Sequence, residues 1–379
     1  MKIIIAPDSF KESLNAMDVA KSIESGFKKR LPDAEYVKIP MADGGEGTVQ
    51  ALVDATGGQI IPHLVTGPLG DKLNGFYGLL GDGETAVIEM AAASGLHLVP
   101  PSKRNPLITT SYGTGELIKA ALDNGVKKII IGIGGSATND GGVGMIQALG
   151  GKFLDCNGIQ LNYGGGALAD LAEIDITNLD KRLKGTLLEV ACDVDNPLCG
   201  LNGTSYVFGS QKGATPEMII QLDKNLAHYA NLMLQQLGQD VKDRSGSGAA
   251  GGMGAALVGL LNATLRSGVD IVMDTVKFCE VVRNADLVIT GEGRIDSQSI
   301  HGKTPVGVAR IAKLYGIPVF GIAGSLSDDC EVVYDHGIDA LFSVVPGAMS
   351  LDKALKNAAL NIEMCSLNVA KAYALSLSK

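Results

Sequence analysis

The sequence predicts an α/β protein: one open sheet built from both ends of the chain, a second α/β domain inserted in the middle, and the ligand cleft between them. Three observations carry this expectation. Short β-branched apolar runs alternate with amphipathic segments from end to end. The chain has 379 residues, 46% of them hydrophobic and 19% charged, which is enough to bury two cores. Glycine supplies 50 residues, about twice the usual ~7%, without a collagen period, and many of these glycines fall just after the apolar runs.

The elements follow in order. Residues 2–6 read as a buried strand. Asn15 caps the next helix, Asp18 sits in its first turn, and Val19, Ile23 and Phe27 recur every four residues before Pro32 closes it. Residues 36–39 are a second strand, completing a βαβ unit, and a helix near 47–56 ends at Gly57-Gly58. In the middle, 86–90 and 128–133 read as strands around a helix at 115–124, and 189–192 and 205–208 as two further strands. A long helix starts at Thr215-Pro216, buries a face made of Ile219, Leu222, Leu226, Tyr229 and Met233, leaves His228 on the surface and stops near Gly238. The last third repeats the opening logic. It has a strand at 285–290, a helix from Thr304-Pro305 to Tyr315 stopped by Gly316, and strands at 317–323 and 340–345. A final helix at 351–375 turns Leu355, Ile362, Val369 and Tyr373 inward. The expected division is 1–65 with 285–379 for one domain and 66–284 for the inserted one.

Composition removes several functions. Net charge is −9, and no basic run exceeds Lys28-Lys29-Arg30, so a nucleic-acid partner is not expected. The six cysteines form no CxxC pair and only five histidines accompany them, which argues against zinc and for reduced thiols. The uncharged stretch 245–265 is rich in Ser, Gly and Ala in its first half, so it reads as a glycine loop feeding a buried helix and not as a membrane span. A soluble, cytoplasmic protein is expected, with the oligomeric state open and a homodimer among the options. GxSxG is absent, so acyl transfer through a serine elbow is not indicated.

Five clusters gather acids, hydroxyls and a few bases just after predicted strands, three of them rich in glycine. After the first strand, Asp8, Ser9 and Lys11 can hold a metal or a phosphate, or simply cap a helix. In 42–47, Asp43 and Glu46 flank glycines and can ligate Mg²⁺, or favour the next helix N-terminus. Residues 132–142 contain a literal GxGxxA. The following Gly141-Gly142-Val143-Gly144 would weaken the helix a dinucleotide site requires, which leaves a hydroxyl- and amide-rich phosphate nest. Asp193 and Asp195 lie at i and i+2 past a strand, before Pro197, as a metal pair or hydroxyl base, or as a plain Asx turn. Glu292, Arg294 and Asp296 precede His301-Gly302-Lys303-Thr304, which ends like a Walker A loop but has Ser297 where that motif needs glycine. Acids for a metal, bases for anions and amide-lined loops together fit phosphoryl transfer. An NAD-dependent 2-hydroxy-acid dehydrogenase, resting on GxGxxA, and a non-catalytic nucleotide- or anion-binding protein are the alternatives.

Longer strings narrow this. APDSFKESL at 6–14, ADGGEG at 42–47, IEMAAASGL at 88–96, TTSYGTGELI at 109–118, GIGGSATNDGG at 132–142, CDVDNP at 192–197, ITGEGRIDSQSIHGK at 289–303 and GIAGSL at 321–326 resemble the bacterial glycerate kinases over essentially the whole chain. The resemblance implies a flavodoxin-like domain with an inserted α/β domain, and transfer of the γ-phosphate of ATP to D-glycerate with Mg²⁺. It implies the 2-phosphate as product, with the 3-phosphate made by others in the wider group. Two departures stand out: Ser210 in VFGSQKGA replaces a proline, and Ser247 replaces an alanine.

Position and resemblance together assign roles. Asp193 is the expected base, with Asp296 its rival. Asp43, Glu46 and Asp195 are the Mg²⁺ shell. Ser9, Lys11 and the loop of Gly134, Gly135, Ser136, Thr138 and Asn139 hold the ATP phosphates. Arg294, or Arg104, clamps the glycerate carboxylate, with Asp8 and Glu292 completing the substrate set. Lys212 or Lys303 neutralises the transferring phosphoryl group.

Overall fold

The structure, a computed structural model, describes residues 1–377. Its strands in chain order are β1 (Lys2–Pro7), β2 (Glu35–Lys38), β3 (Gln59–Thr66), β4 (Lys72–Leu79), β5 (Thr85–Glu89), β6 (Lys128–Gly132), β7 (Lys152–Leu154), β8 (Glu173–Asp175), β9 (Leu187–Ala191), β10 (Thr264–Arg266), β11 (Leu287–Ile295), β12 (Val319–Leu326) and β13 (Ala340–Ser343). They fall into two compact units. The first comprises Met1–Asp43, Gln50–Gly57 and the chain from Gly268 on; the second comprises Gly44–Val49 and Gly58–Ser267.

The first unit is built on a parallel sheet in the order β13-β12-β11-β1-β2. Counted along this unit alone, that is the flavodoxin-like order 2-1-3-4-5, in which ligands sit beyond the carboxyl ends of the strands. Ile3, Ile4 and Ile5 are fully buried, as a strand covered on both faces requires. The helix Ala16–Lys28 starts where Asn15 accepts a bond from the Asp18 amide, and it buries Val19, Ile23 and Phe27. Each such side chain contributes about 1.5–3 kcal/mol by leaving water. Gly26 lets this helix lie against Ala358–Ser376, where a Cβ would overlap the Glu363 carbonyl. The expected helix 351–375 is two helices, Leu351–Lys356 and Ala358–Ser376, broken at Asn357. Ile362 and Val369 are buried, and Tyr373 packs edge-on against Phe320.

The strand read as 285–290 is β11, which runs to Ile295, so Glu292 and Arg294 stand on a strand and not in a loop after it. Its two extra glycines are poor strand formers, but β12 continues alongside, with Arg294 opposite Ser325 and Ile295 opposite Leu326. The ladder offsets the weak local preference.

The second unit holds the sheet β10-β9-β6-β5-β4-β3, parallel from β10 to β5 and antiparallel at β4 and β3. The β3–β4 pairing from Gln59↔Leu79 to Thr66↔Lys72 places residues 59–66 here, where the sequence reading drew its line after 65. Pro62 is tolerated because β3 is an edge strand. At the other boundary the helix Gly268–Thr275 lies in the first unit, where Gly307 admits Val269 and Met273. The expected strand at 205–208 is a helix, Thr204–Phe208. An apolar run this short carries no period, and local bonds from Val207 N to Gly203 O and Gly209 N to Ser205 O decide it.

The long helix Pro216–Leu237 buries Leu222, Leu226, Tyr229 and Met233 and ends at left-handed Gly238. His228 is half-buried, with Nε2 2.7 Å from the Leu171 carbonyl, and is not on the surface as expected. Ala249–Leu261 is buried almost throughout. Among the described residues no helix is long and apolar enough to cross a membrane.

Candidate active site

In the first unit the chain leaves β1 at Pro7 and immediately buries a carboxylate. Asp8 is only 9% exposed. Its Oδ1 accepts from the Ser9 amide at 2.6 Å and its Oδ2 from the Thr304 hydroxyl at 2.8 Å. Burial, with Asp43 adding to it, pushes the Asp8 carboxyl up to about 6, against the pull of Thr304, Ser9 and Lys11. Glu292 on β11 accepts from Ser299 Oγ at 2.7 Å, and Lys303 Nζ stands 3.5 Å from its other oxygen. Burial pushes Glu292 up to about 7; Ser299 and Lys303 oppose this and Asp8 adds to it.

Lys303 also lies 3.6 Å from Asp296, which in turn meets Arg294 Nε at 3.3 Å. Asp296 caps the turn Ser297–Ile300, accepting from Gln298 N at 3.0 Å. The structure therefore brings Asp8, Asp43, Glu292, Arg294, Asp296 and Lys303 into one charged network at the ends of β1, β2 and β11. Lys11 is exposed beside it, with its amide and Phe10 the nearest atoms to where a Gly293 Cβ would stand.

In the second unit the loop after β6 is held at many points. Leu96 N donates to Gly135 O at 2.8 Å, Ala137 N to Ser94 O at 2.9 Å, and Thr109 Oγ1 to Ala137 O at 2.8 Å. Asp140, 1% exposed, accepts from the amide and hydroxyl of Ser111, both at 2.8 Å, and from the amides of Gly142 and Gly144. Burial raises its carboxyl, and those bonds pull the other way. The helix that follows is the short Val143–Ala148, entered through left-handed Gly142. The GxGxxA string therefore does not run into a helix N-terminus as a dinucleotide site requires.

Lys212 was expected to reach a phosphoryl group. The residue is 2% exposed, and its ammonium donates to Ser136 Oγ at 2.8 Å and to the Thr138 carbonyl at 2.6 Å. Burial pushes it down to about 7, with Asp140 opposing. Asn139 donates to Ser205 Oγ at 3.0 Å, while Asn139 Oδ1 and Thr138 Oγ1 are buried with no partner among the described residues. Ser247, the departure noted in the sequence, likewise buries a hydroxyl without a partner.

The remaining expected residues are more scattered. Asp193 and Asp195 are exposed beside Cys192, whose thiol is pushed up by burial and then by these two acids. Glu46 is exposed and Arg104 half-buried, with Arg104 Nη1 3.3 Å from the Gln211 carbonyl. Asp43 belongs to the first unit, Glu46 and Asp195 to the second. Among the described residues no group of three or more His, Cys, Asp and Glu side chains forms a metal cage. Mg²⁺ commonly takes one or two carboxylates and completes its shell with phosphate oxygens and water. The hard oxygens of Asp8 and Asp43 fit that use, because Asp43 makes charging Asp8 harder and a cation would reverse this.

Several residues escaped the sequence reading. Glu89 is buried at the end of β5 and accepts from Val49 N at 2.8 Å, holding the start of the helix Thr48–Thr56. Burial raises its carboxyl, which the amides of Val49, Gly47 and Thr48 oppose. Thr304, Ser299, Ser111 and Asp140 support the charged groups from distant points in the chain. Glu89, Ser111, Asp140 and Ser299 fall inside strings shared with the family and Thr304 just after one, but nothing in the sequence ties any of them to its partner.

The model of the glycerate kinase family matches residues 3–374. A glycerate kinase of Bacillus subtilis strain 168 is 61% identical over 99% of this chain and 98% of its own. A glycerate 2-kinase of Escherichia coli K12 is 59% identical over 100% and 99%. The crystal structure of a provisionally assigned glycerate kinase 2 from Salmonella typhimurium LT2 superposes with a TM-score of 0.93, at 58% identity and 100% coverage of both chains.

Proposed function

The chain belongs to the glycerate kinase family, and from that premise we propose that it transfers the γ-phosphate of ATP to the 2-hydroxyl of D-glycerate, assisted by Mg²⁺. The observation that carries the 2-phosphate over the 3-phosphate is the full-length likeness to a relative named as a glycerate 2-kinase. Phosphoryl transfer asks a protein mostly to position groups and neutralise charge. The strand-end network of the first unit and the amide-lined loop of the second supply both.

In this reading the backbone and hydroxyls of Gly134, Gly135, Ser136, Thr138 and Asn139, with Ser9 and Lys11, hold the phosphates. Mg²⁺, when bound, would neutralise phosphate charge, with Asp43 and the adjoining Asp8 as the carboxylates that would hold it; the expected partners Glu46 and Asp195 lie in the second unit and form no cage with Asp43. Arg294, or Arg104, takes the glycerate carboxylate, with Glu292 and Asp8 on the substrate. Lys303 lies between Glu292 and Asp296, where it can shift toward an incoming anion. Asp193, just past the end of β9, is the group that orients and deprotonates the attacking hydroxyl, with Asp296 its rival, which is held by its cap and two cations.

Purified protein with D-glycerate and MgATP is expected to release ADP, and phosphorus NMR is expected to show the 2-phosphate. No turnover by folded protein would defeat the reading; a 3-phosphate product would defeat its regiochemistry alone. For the base, Asp193→Asn is expected to lower kcat by about 10²–10⁴ with little change in KM. Near-full kcat in that variant would remove Asp193 from the role.

A further inference from the structure

We propose that Lys212 acts at one remove, through Ser136: by donating to the Ser136 hydroxyl it makes that hydroxyl a strong donor to an anionic oxygen of a bound substrate. The proposal rests on the reading that the loop after β6 binds substrate. It makes Ser136 the contacting group and Lys212 a positioning residue, in place of the direct contact expected from sequence.

The geometry points to this for three reasons. First, the Lys212 ammonium is spent internally, on Ser136 Oγ at 2.8 Å and the Thr138 carbonyl at 2.6 Å, and with 2% of the residue exposed it has no path to a ligand. Second, most of the loop is held by bonds that do not involve Lys212, which adds one backbone bond, to Thr138. Gly135 and Ala137 are pinned by Leu96, Ser94 and Thr109, and Asp140 by Ser111, Gly142 and Gly144. Besides its bond to the Thr138 carbonyl, Lys212 supplies a positive charge against one hydroxyl oxygen, with Asp140 of the same loop as the facing counter-charge.

Third, Ser136 Oγ accepts from Lys212, and its own hydrogen has no acceptor among the described residues. Ser136 is buried, with 6% of the residue's surface exposed, so only a group seated against the loop would meet that hydrogen. A hydroxyl that accepts from an ammonium is polarised and becomes a better donor. Phosphoryl and carboxylate oxygens are the acceptors such a group favours. Two residues before Ser136, Gly134 is bare backbone at which an added Cβ would meet Gly45 Cα at 3.7 Å, an ordinary contact, so an alanine there adds a methyl group without a clash.

The test is a double-mutant cycle in the full chain with Ser136→Ala, Lys212→Met and the pair, measuring kcat and both KM values. Each single change is expected to lower kcat/KM for one substrate by about 10- to 100-fold, and the pair by no more than about threefold beyond the worse single. A rise confined to the KM for ATP identifies a phosphoryl oxygen as the acceptor; one confined to D-glycerate identifies the carboxylate. Independent, multiplying losses would overturn the coupling, as would full activity in Ser136→Ala. If Lys212→Met does not fold, the cycle is read with Lys212→Gln on the same criteria. Gly134→Ala separates the two layers. If it and Ser136→Ala both leave an active enzyme unchanged, the loop does not meet substrate and the underlying reading fails. If Gly134→Ala impairs binding while the cycle is additive, only the role of Lys212 fails.

Discussion

Asp8→Asn is expected to abolish most turnover and at the same time to make the protein harder to unfold. The carboxylate is buried at the end of β1, and both oxygens accept bonds, from the Ser9 amide and the Thr304 hydroxyl. Burial raises its pKa from 3.8 to about 6. Between those values the folded chain holds a proton that the unfolded chain has released, so stability falls as pH rises through that window. Above it the full cost of the buried charge is present, about 3 kcal/mol at roughly 1.4 kcal/mol per pH unit. Asparagine keeps the shape, can accept from Ser9 and can donate to the Thr304 oxygen, and it carries no charge. A melting temperature a few degrees above wild type at pH 7.5, with that gain vanishing near pH 4, is the expected result. Turnover is expected to fall by about 10²–10⁴ if the charge acts on substrate or metal. A variant that melts lower and still turns over normally would mean that Asp8 is only a structural cap.

Gly251→Ala is expected to be the most damaging methyl group that can be added near the second-unit loop. Gly251 has φ +71°, and a Cβ there would overlap the Thr138 carbonyl and lie 2.7 Å from Asn139 Cα. The left-handed backbone costs an alanine about 1–2 kcal/mol, and forcing the neighbouring backbone aside adds about 1–3 kcal/mol. Because Gly141 N donates to Gly251 O at 3.0 Å, any shift moves residues 138–142 with it. Urea unfolding should show a lowered midpoint, and KM for at least one substrate should rise tenfold or more. Gly125→Ala is the control: its φ is +73°, but nothing lies within 4 Å of the added methyl, so it carries the conformational cost alone. Equal losses in the two variants would show that the contact with Thr138 is irrelevant.

Much of the fold was legible because its signals are local. The helix Ala16–Lys28 is announced by a cap at Asn15 and a four-residue period, and the long helix by Thr215-Pro216 and Gly238. Failures came where the deciding bond lay elsewhere in the chain. The strand run from Gly291 to Ile295 exists because β12 continues beside it, and the edge position of β3 is what allows Pro62 in a strand. The helix Thr204–Phe208 was missed because five residues hold too little pattern to separate the two periods.

The candidate site divides in the same way. Asp43, Glu292, Arg294 and Lys303 could be picked out as charged residues next to glycine, and Asp8 as an acid just after the first strand. Thr304 could not be tied to Asp8, since 296 residues separate them. Glu89 reads as the one acid inside the run 86–90, and only the fold sets it under the amide of Val49. Lys212 looks in sequence like a flexible cation available to a ligand, and in the structure it is enclosed.

The amino-acid sequence by itself determined the α/β class, the inserted second unit and membership of a kinase family, because periodicity, capping and long strings are properties of neighbours in the chain. The tertiary structure alone decided which charges are costly and which are spent. Asp8, Glu292, Asp140 and Lys212 are all driven toward their neutral forms chiefly by burial. Burial is set by every element packed around a side chain at once, so no stretch of sequence around these four residues contains it.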